Sequence, residues 1–251
     1  MVCITGDIHG SSIRIYEFAK RHKLTKKDVI IILGDVGANY YGDERDERTK
    51  ENLSKVKARI LCIHGNHEMR PWETSGYTLT EWNGGKVWVQ EKYPKLLFAK
   101  DGEIFTIEGK RYIAIGGAYS VDSYWRIRHH AGWWKTEQPT EEIKRFVEQQ
   151  LQENEIDIIL SHTCPRKYEP REAFLTFIDQ STVDKSTEDW LDRIEDKIDY
   201  EAWYCGHWHI EKDIDKMHFL FKTWRSEGKR NNEEYGKYAN DWQENIIWDK
   251  S

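Results

Sequence analysis

The chain has 251 residues, 38% of them hydrophobic and 33% charged, with a net charge of −6. That length suits one large domain with a sizeable core, and the acidic balance disfavours long nucleic acid as a partner while leaving room for a local basic site. No apolar run approaches the ~18 residues of a membrane span, so no membrane association is expected.

In chain order, strand-like apolar runs alternate with helix-like ones. Val2 to Thr5 opens the sequence as a strand and leaves no room for a signal peptide. Ser11 to His22 places Ile15, Phe18 and Ala19 on one helical face, with Ser11 or Ser12 as cap. Val29 to Leu33 and Ile60 to Ile63 read as buried strands. The charged stretch Glu44 to Lys57 between them reads as an exposed helix with Leu53 and Val56 as its apolar positions. Four shorter strands are expected over Lys86 to Gln90, Leu96 to Ala99, Glu103 to Glu108 and Arg111 to Ile115, with a hairpin turn at Glu108-Gly109-Lys110. Ser120 to Pro139 is irregular and reads as a loop over a site, with Trp82, Trp88, Trp125, Trp133 and Trp134 as candidates to wall a groove there. Thr140 to Glu153 is a capped amphipathic helix carrying Ile143, Phe146, Val147 and Leu151. Ile156 to Leu160 and Trp203 to Cys205 read as strands, and Glu188 to Ile198 between them as a helix. Two sets of strands with helices between and outside them imply a layered α/β sandwich rather than one parallel sheet. Residues 1–224 are expected to form the domain, and 225–251 a polar C-terminal tail attached to it. Four cysteines (Cys3, Cys62, Cys164, Cys205) without paired short spacing read as reduced, buried thiols of a cytoplasmic protein.

Five strand-like runs are each followed by side chains that can ligate a metal. The segments are Gly6-Asp7-Ile8-His9-Gly10, Gly34-Asp35, Gly65-Asn66-His67-Glu68, Ser161-His162 and Gly206-His207-Trp208-His209. Singly, each is ordinary turn chemistry. Jointly they would bring two Asp, one Asn and several His to one sheet edge, enough donors for two divalent ions. Mixed imidazole and carboxylate ligands favour Mn, Fe, Zn, Co or Ni over Mg or Ca. The glycines before the ligands suit tight turns or close approach.

This ordered set resembles that of the calcineurin-like metallophosphoesterase superfamily, and the likeness runs from Asp7 to His209. The resemblance implies a four-layer α/β sandwich of two mixed β-sheets flanked by helices, with a dinuclear site at one edge in which Asp7, His9 and His209 hold one ion, Asn66, His162 and His207 the other, and Asp35 bridges both. It places His67 beside the phosphate rather than on a metal. A hydroxide between the two ions would then attack phosphorus, and His67 would donate to the leaving oxygen or to the phosphate. Asn66, Arg70 and Arg126 are candidates to contact the substrate phosphate, with Arg128 behind them.

The Ser/Thr phosphatase branch continues its Gly-Asp with an Asp that orients the histidine and an Arg that grips phosphate. Here Ala38 and Asn39 stand in those places, leaving Asp43, Glu44 and Asp46 as candidates to hold His67. The Gly65-Asn66-His67-Glu68 segment does match that branch, and the chain is expected to hydrolyse phosphomonoesters or phosphoproteins. The alternatives are a phosphodiesterase or nuclease acting on cyclic nucleotides, dinucleotides or single-stranded nucleic acid, and a scaffold without catalysis. Seven intact ligands argue against the scaffold, and a metallo-β-lactamase type of site lacks its His-x-His-x-Asp-His cluster here.

Overall fold

The computed structural model describes residues 1–227, together with the backbone of 229–230 and 233–234. The first half runs β1 (Val2–Thr5), α1 (Ile13–Arg21), β2 (Val29–Ile32), α2 (Glu44–Leu53), β3 (Arg59–Cys62), β4 (Tyr77–Trp82), β5 (Gly85–Gln90) and β6 (Leu96–Ala99). The second half runs β7 (Ile104–Ile107), β8 (Lys110–Ile115), α3 (Ser123–Arg128), α4 (Glu141–Glu153), β9 (Ile158–Ser161), α5 (Ser186–Glu195) and β10 (Ala202–Cys205). It ends with β11 (Lys212–Ile214), β12 (Met217–Phe219), β13 (Trp224–Glu227), β14 (Lys229–Arg230) and β15 (Glu233–Glu234).

Two mixed sheets form the body. One has seven strands in the order β13-β1-β2-β3-β6-β5-β4, the other six in the order β11-β12-β10-β9-β8-β7. Alternation along the strands builds three apolar layers. Val2, Ile4, Ile31 and Leu33 from the first sheet meet Phe105, Tyr112, Leu160 and Tyr204 from the second. The opposite face of the first sheet, with Cys3, Ile30, Ile32 and Cys62, is covered by Ile15 and Phe18 of α1 and Leu53 of α2. The outer face of the second, with Ile113, Ile159 and Trp203, is covered by Val147 of α4 and Trp190 and Leu191 of α5. Helices, sheet, sheet and helices thus form the four layers expected, and all four cysteines are buried.

Local signals explain most boundaries. Thr140 caps α4 by accepting the Ile143 N–H, and Asp43 caps α2 by accepting that of Arg45. Glu108 and Gly109, both at positive φ, form the two-residue turn of the β7–β8 hairpin. Three expectations need correction. The stretch 120–139 contains the helix α3, Ser123 to Arg128, which ends at His129, whose N–H donates to the Trp125 carbonyl at 3.0 Å. The α2 helix is not merely exposed, since Asp46, Thr49, Lys50 and Leu53 are buried. Arg225, Ser226 and Glu227, assigned to the tail, complete β13 and pair antiparallel with Cys3 and its neighbours in β1. The rest of that tail lies outside the described residues, apart from the backbone of β14 and β15.

In the first sheet β1, β2 and β3 are parallel, and in the second β8, β9, β10 and β12 are parallel. The loops after β1, β2, β3, β9 and β10 carry the five motif segments.

Candidate metal centre

The five loops converge. The Nε2 atoms of His9 and His209 lie 2.9 Å apart, and Asp7 Oδ2 is 3.2 Å from His209 Nε2 and 3.9 Å from His9 Nε2. On the other side Asn66 Oδ1 is 2.8 Å from His162 Nε2 and 3.0 Å from His207 Nδ1. Asp35 stands between the groups, with Oδ2 3.9 Å from His9 Nε2 and Oδ1 3.6 Å from His162 Nε2. The donor atoms of Asp7, His9 and His209 all fall within 4.8 Å of one another, as do those of Asp7, Asp35 and His162.

The donor chemistry fits a cation. His162 Nδ1 lies 2.7 Å from the Leu33 carbonyl, which can only accept, so Nδ1 carries the proton. In the neutral ring Nε2 then presents a lone pair to Asn66 Oδ1. The other end of the Asn66 amide is engaged as well, its Nδ2 donating to Ser120 Oγ at 2.9 Å. Two lone-pair atoms at that separation repel unless a cation lies between them, and a ligating imidazole that donates its other N–H to a carbonyl is the usual arrangement around a metal.

Electrostatics point the same way. Burial pushes His207 down to about 3, with His162 adding to the effect, so its imidazole is neutral. Burial opposes ionised Asp7, but the His209 hydrogen bond and the imidazoles of His162, His209 and His9 outweigh it and hold the carboxyl below its ordinary value. Burial is likewise outweighed at Asp35, chiefly by His162 and His67. Glu68 differs. Burial, reinforced by Asp35, pushes its carboxyl up to about 8 while it accepts the Gly65 N–H at 2.9 Å.

The backbone is adapted to this crowding. His9, Asp35, His207 and His209 all have φ between 44° and 65°, a region that side chains bearing a Cβ rarely enter. A Cβ on Gly65 would collide with Asp35, and one on Gly206 with Asp7. The Asp35 carboxylate accepts the His67 N–H at 2.8 Å, and Asp7 accepts that of His207 at 2.9 Å, so each carboxylate also ties two loops together.

A cavity of about 650 Å³ opens from the centre, lined there by Asp7, His9, His67 and His209. Arg126 also lines it, donating to Asp122 at 2.8 Å and to the Tyr40 hydroxyl at 2.9 Å. Arg70, expected to contact phosphate, does not reach this cavity. It is 1% exposed, paired with buried Asp101, and donates to the Thr136 carbonyl at 3.0 Å. Arg128, His129 and His130 are exposed and outside the cavity wall. None of the five tryptophans walls it either; its aromatic residues are Phe18, Tyr40, Tyr41 and Phe221. Trp82 and Trp88 pack on the two faces of the first sheet instead.

Of the residues expected to orient His67, Glu44 is exposed and the other two are engaged elsewhere. Asp43 pairs with Arg45, and Asp46 accepts the Tyr41 and Gly42 N–H groups. Asn39 accepts from the Tyr77 hydroxyl and braces β4. Burial pushes His67 below its ordinary value; Asp35 and Asp122 oppose this, and Arg126 and His9 add to it.

Sequence reasoning missed Asp122, Ser120, Glu137 and Arg14. Glu137 is buried and accepts the Ser120 N–H at 3.2 Å, so the loop that follows β8 orients Asn66 through Ser120. Arg14 donates to the carbonyls of Gly6, Asp7 and Phe221, fastening the first ligand loop to α1. A serine in an irregular loop carries no pattern that marks such a role.

The calcineurin-like phosphoesterase family model matches residues 1–211, and the chain belongs to that family. It is therefore a metal-dependent hydrolase of phosphoester type. Among solved structures, it is similar to the phosphopantetheinyl hydrolase PptH from Mycobacterium tuberculosis, with 16% identity, a TM-score of 0.49, and coverage of 88% of this chain and 87% of that one. It is also similar to the sulfate thiohydrolase SoxB from Thermus thermophilus, with 13% identity, a TM-score of 0.40, and coverage of 87% of this chain and 38% of that one. None of the curated proteins compared with it matches. Among the described residues, no helix is long and apolar enough to cross a membrane.

Proposed function

We propose that this phosphoesterase holds two divalent transition-metal ions and hydrolyses phosphomonoesters, on small molecules or phosphoproteins. The observation that carries the reading is the position of Asp35, with one oxygen toward His9 and the other toward His162, between two sets of converging donors. Asp7, His9 and His209 would hold one ion, and Asn66, His162 and His207 the other. Bound there, the ions supply Lewis acidity toward the phosphoryl oxygens and activate water as a nucleophile at neutral pH. Hydrolysis adds water across the P–O bond and releases the alcohol and inorganic phosphate.

The chain's own groups do the rest. Arg126 lines the cavity beside His67 and supplies positive charge for the phosphoryl oxygens. A monoester carries two negative charges at neutral pH and a diester one, so a cationic site favours the monoester. His67 faces the cavity and hydrogen-bonds the phosphate or passes a proton to the leaving oxygen.

The test is elemental analysis followed by turnover of p-nitrophenyl phosphate, bis-p-nitrophenyl phosphate and a phosphoserine peptide, before and after chelation and with Mn, Fe, Zn, Co or Ni restored. About two ions per chain and faster monoester turnover are expected. Metal-free protein with full activity would refute the metal reading, and diester preference would move the substrate class to phosphodiesters.

A further inference from the structure

We infer that the cavity between α1 and α2 binds the organic part of the substrate, and that this part is an apolar body bearing a second anionic group, a carboxylate or a phosphate, held by Arg21. The inference rests on the phosphoesterase reading and adds the chemistry of the leaving group.

The wall comes from two helical stripes. Ile13, Arg14, Glu17, Phe18 and Arg21 of α1 recur at the spacing of one helix face, and Arg45 and Thr49 of α2 stand one turn apart. Arg14 marks the metal end, because it donates to the Asp7 carbonyl at 2.6 Å. Arg21 follows seven residues later, about 10 Å along the axis at ~1.5 Å per residue. A second anion held there is thus separated from the reacting phosphate by a body about two rings long.

The middle of the cavity is suited to such a body. Phe18 and Phe221 line it, and Ile13 and Tyr41 leave 58% and 49% of their surface exposed. A large apolar surface left open beside a reaction centre is a surface for a ligand.

The charges define the far end. Arg14, Arg21, Arg45, Arg126 and Lys222 line the cavity, against only two carboxylates, Glu17 and the ligand Asp7. In a chain of net charge −6 this is a local reversal of sign. Arg126 is paired with Asp122 and, beside His67, serves the reacting phosphate; Arg45 is paired with Asp43, and Arg14 is spent on backbone carbonyls. Arg21 is exposed and makes no hydrogen bond or ion pair among the described residues, so its charge is available to a ligand.

The test uses biphenyl-4-yl phosphate and three derivatives carrying carboxylate, phosphonomethyl or aminomethyl at the 4′ position. Each is assayed with the metal-loaded protein at low ionic strength. Both anionic esters should exceed the aminomethyl ester in kcat/KM by about 5-fold or more, the size of one partly exposed ion pair. The carboxylate and phosphonomethyl arms show which anion is preferred. In Arg21→Gln the ratio of anionic to aminomethyl ester should fall toward one, whereas Lys20→Gln, on exposed α1 surface outside the cavity, should keep the wild-type ratio. No turnover of any ester would remove the phosphoesterase reading and this inference with it. Turnover that is indifferent to the 4′ charge, or a ratio unmoved by Arg21→Gln, would leave that reading standing and overturn the inference alone.

Discussion

At the scale of single residues, Asp35 is the group whose loss should matter most. On the proposed two-ion reading, a carboxylate between the cations would offset their mutual repulsion for both. Asp35→Asn should therefore lower kcat/KM more than Asp7→Asn, by roughly 10-fold on the strength of the lost charge. Equal effects in a parallel assay would contradict the bridging position. Ser120 supplies a second case. It touches no proposed ion, yet it fixes the amide of Asn66. Ser120→Ala should weaken binding of one of the two ions by about 10–100-fold, the usual cost of losing an outer partner of a metal ligand. Titration against a chromogenic chelator reads this directly, and unchanged affinity for both ions would dismiss the role. These two residues also mark how far the site was legible. Asp35 follows a strand and a glycine, so its position at a sheet edge is written locally. Ser120 acts through a hydrogen bond to a residue 54 positions away, and only the folded loop shows it. Arg70 misled because it is near Asn66 in sequence, while its side chain turns to Asp101.

At the scale of elements, α5 carries a pH-dependent term. Glu188 is buried, accepts from the Thr163 hydroxyl at 2.8 Å, and burial pushes its carboxyl up to about 7 from the ordinary 4.5. The folded chain then holds this proton more tightly than the unfolded chain. The contribution to stability is fully present below about pH 4.5 and is lost as pH rises through about 7. Its size is on the order of 3 kcal/mol. Glu188→Gln retains an acceptor for Thr163 and has no proton to lose. Urea unfolding at pH 5 and pH 8 should show a smaller drop for the variant than for wild type, and parallel behaviour would refute the assignment. The elements themselves were legible where they were long or buried on both faces, as α4, β1 and β2 are. Strands β11 and β12 have three residues each, too short to show a period; β12 forms on the edge of β10, and β11 on the edge of β12.

At the scale of the whole molecule, the fold closes through residues that a polarity plot would discard. Trp224 of β13 is 1% exposed and stacks on Phe18 of α1 at 3.7 Å between ring centroids. Trp224→Ala should cost about 3–5 kcal/mol, measured by denaturant titration, because it opens a cavity beneath α1 and loosens the edge of β1. A cost below ~1 kcal/mol would show that β13 is dispensable. The left-handed backbone at His9, Asp35, His207 and His209 has a consequence of another kind. Each such residue costs on the order of 1–3 kcal/mol, and stability gained by relieving it would come at the expense of the chemistry. Histidine and aspartate nonetheless occupy all four positions, so donor chemistry and not backbone ease accounts for the residues found there.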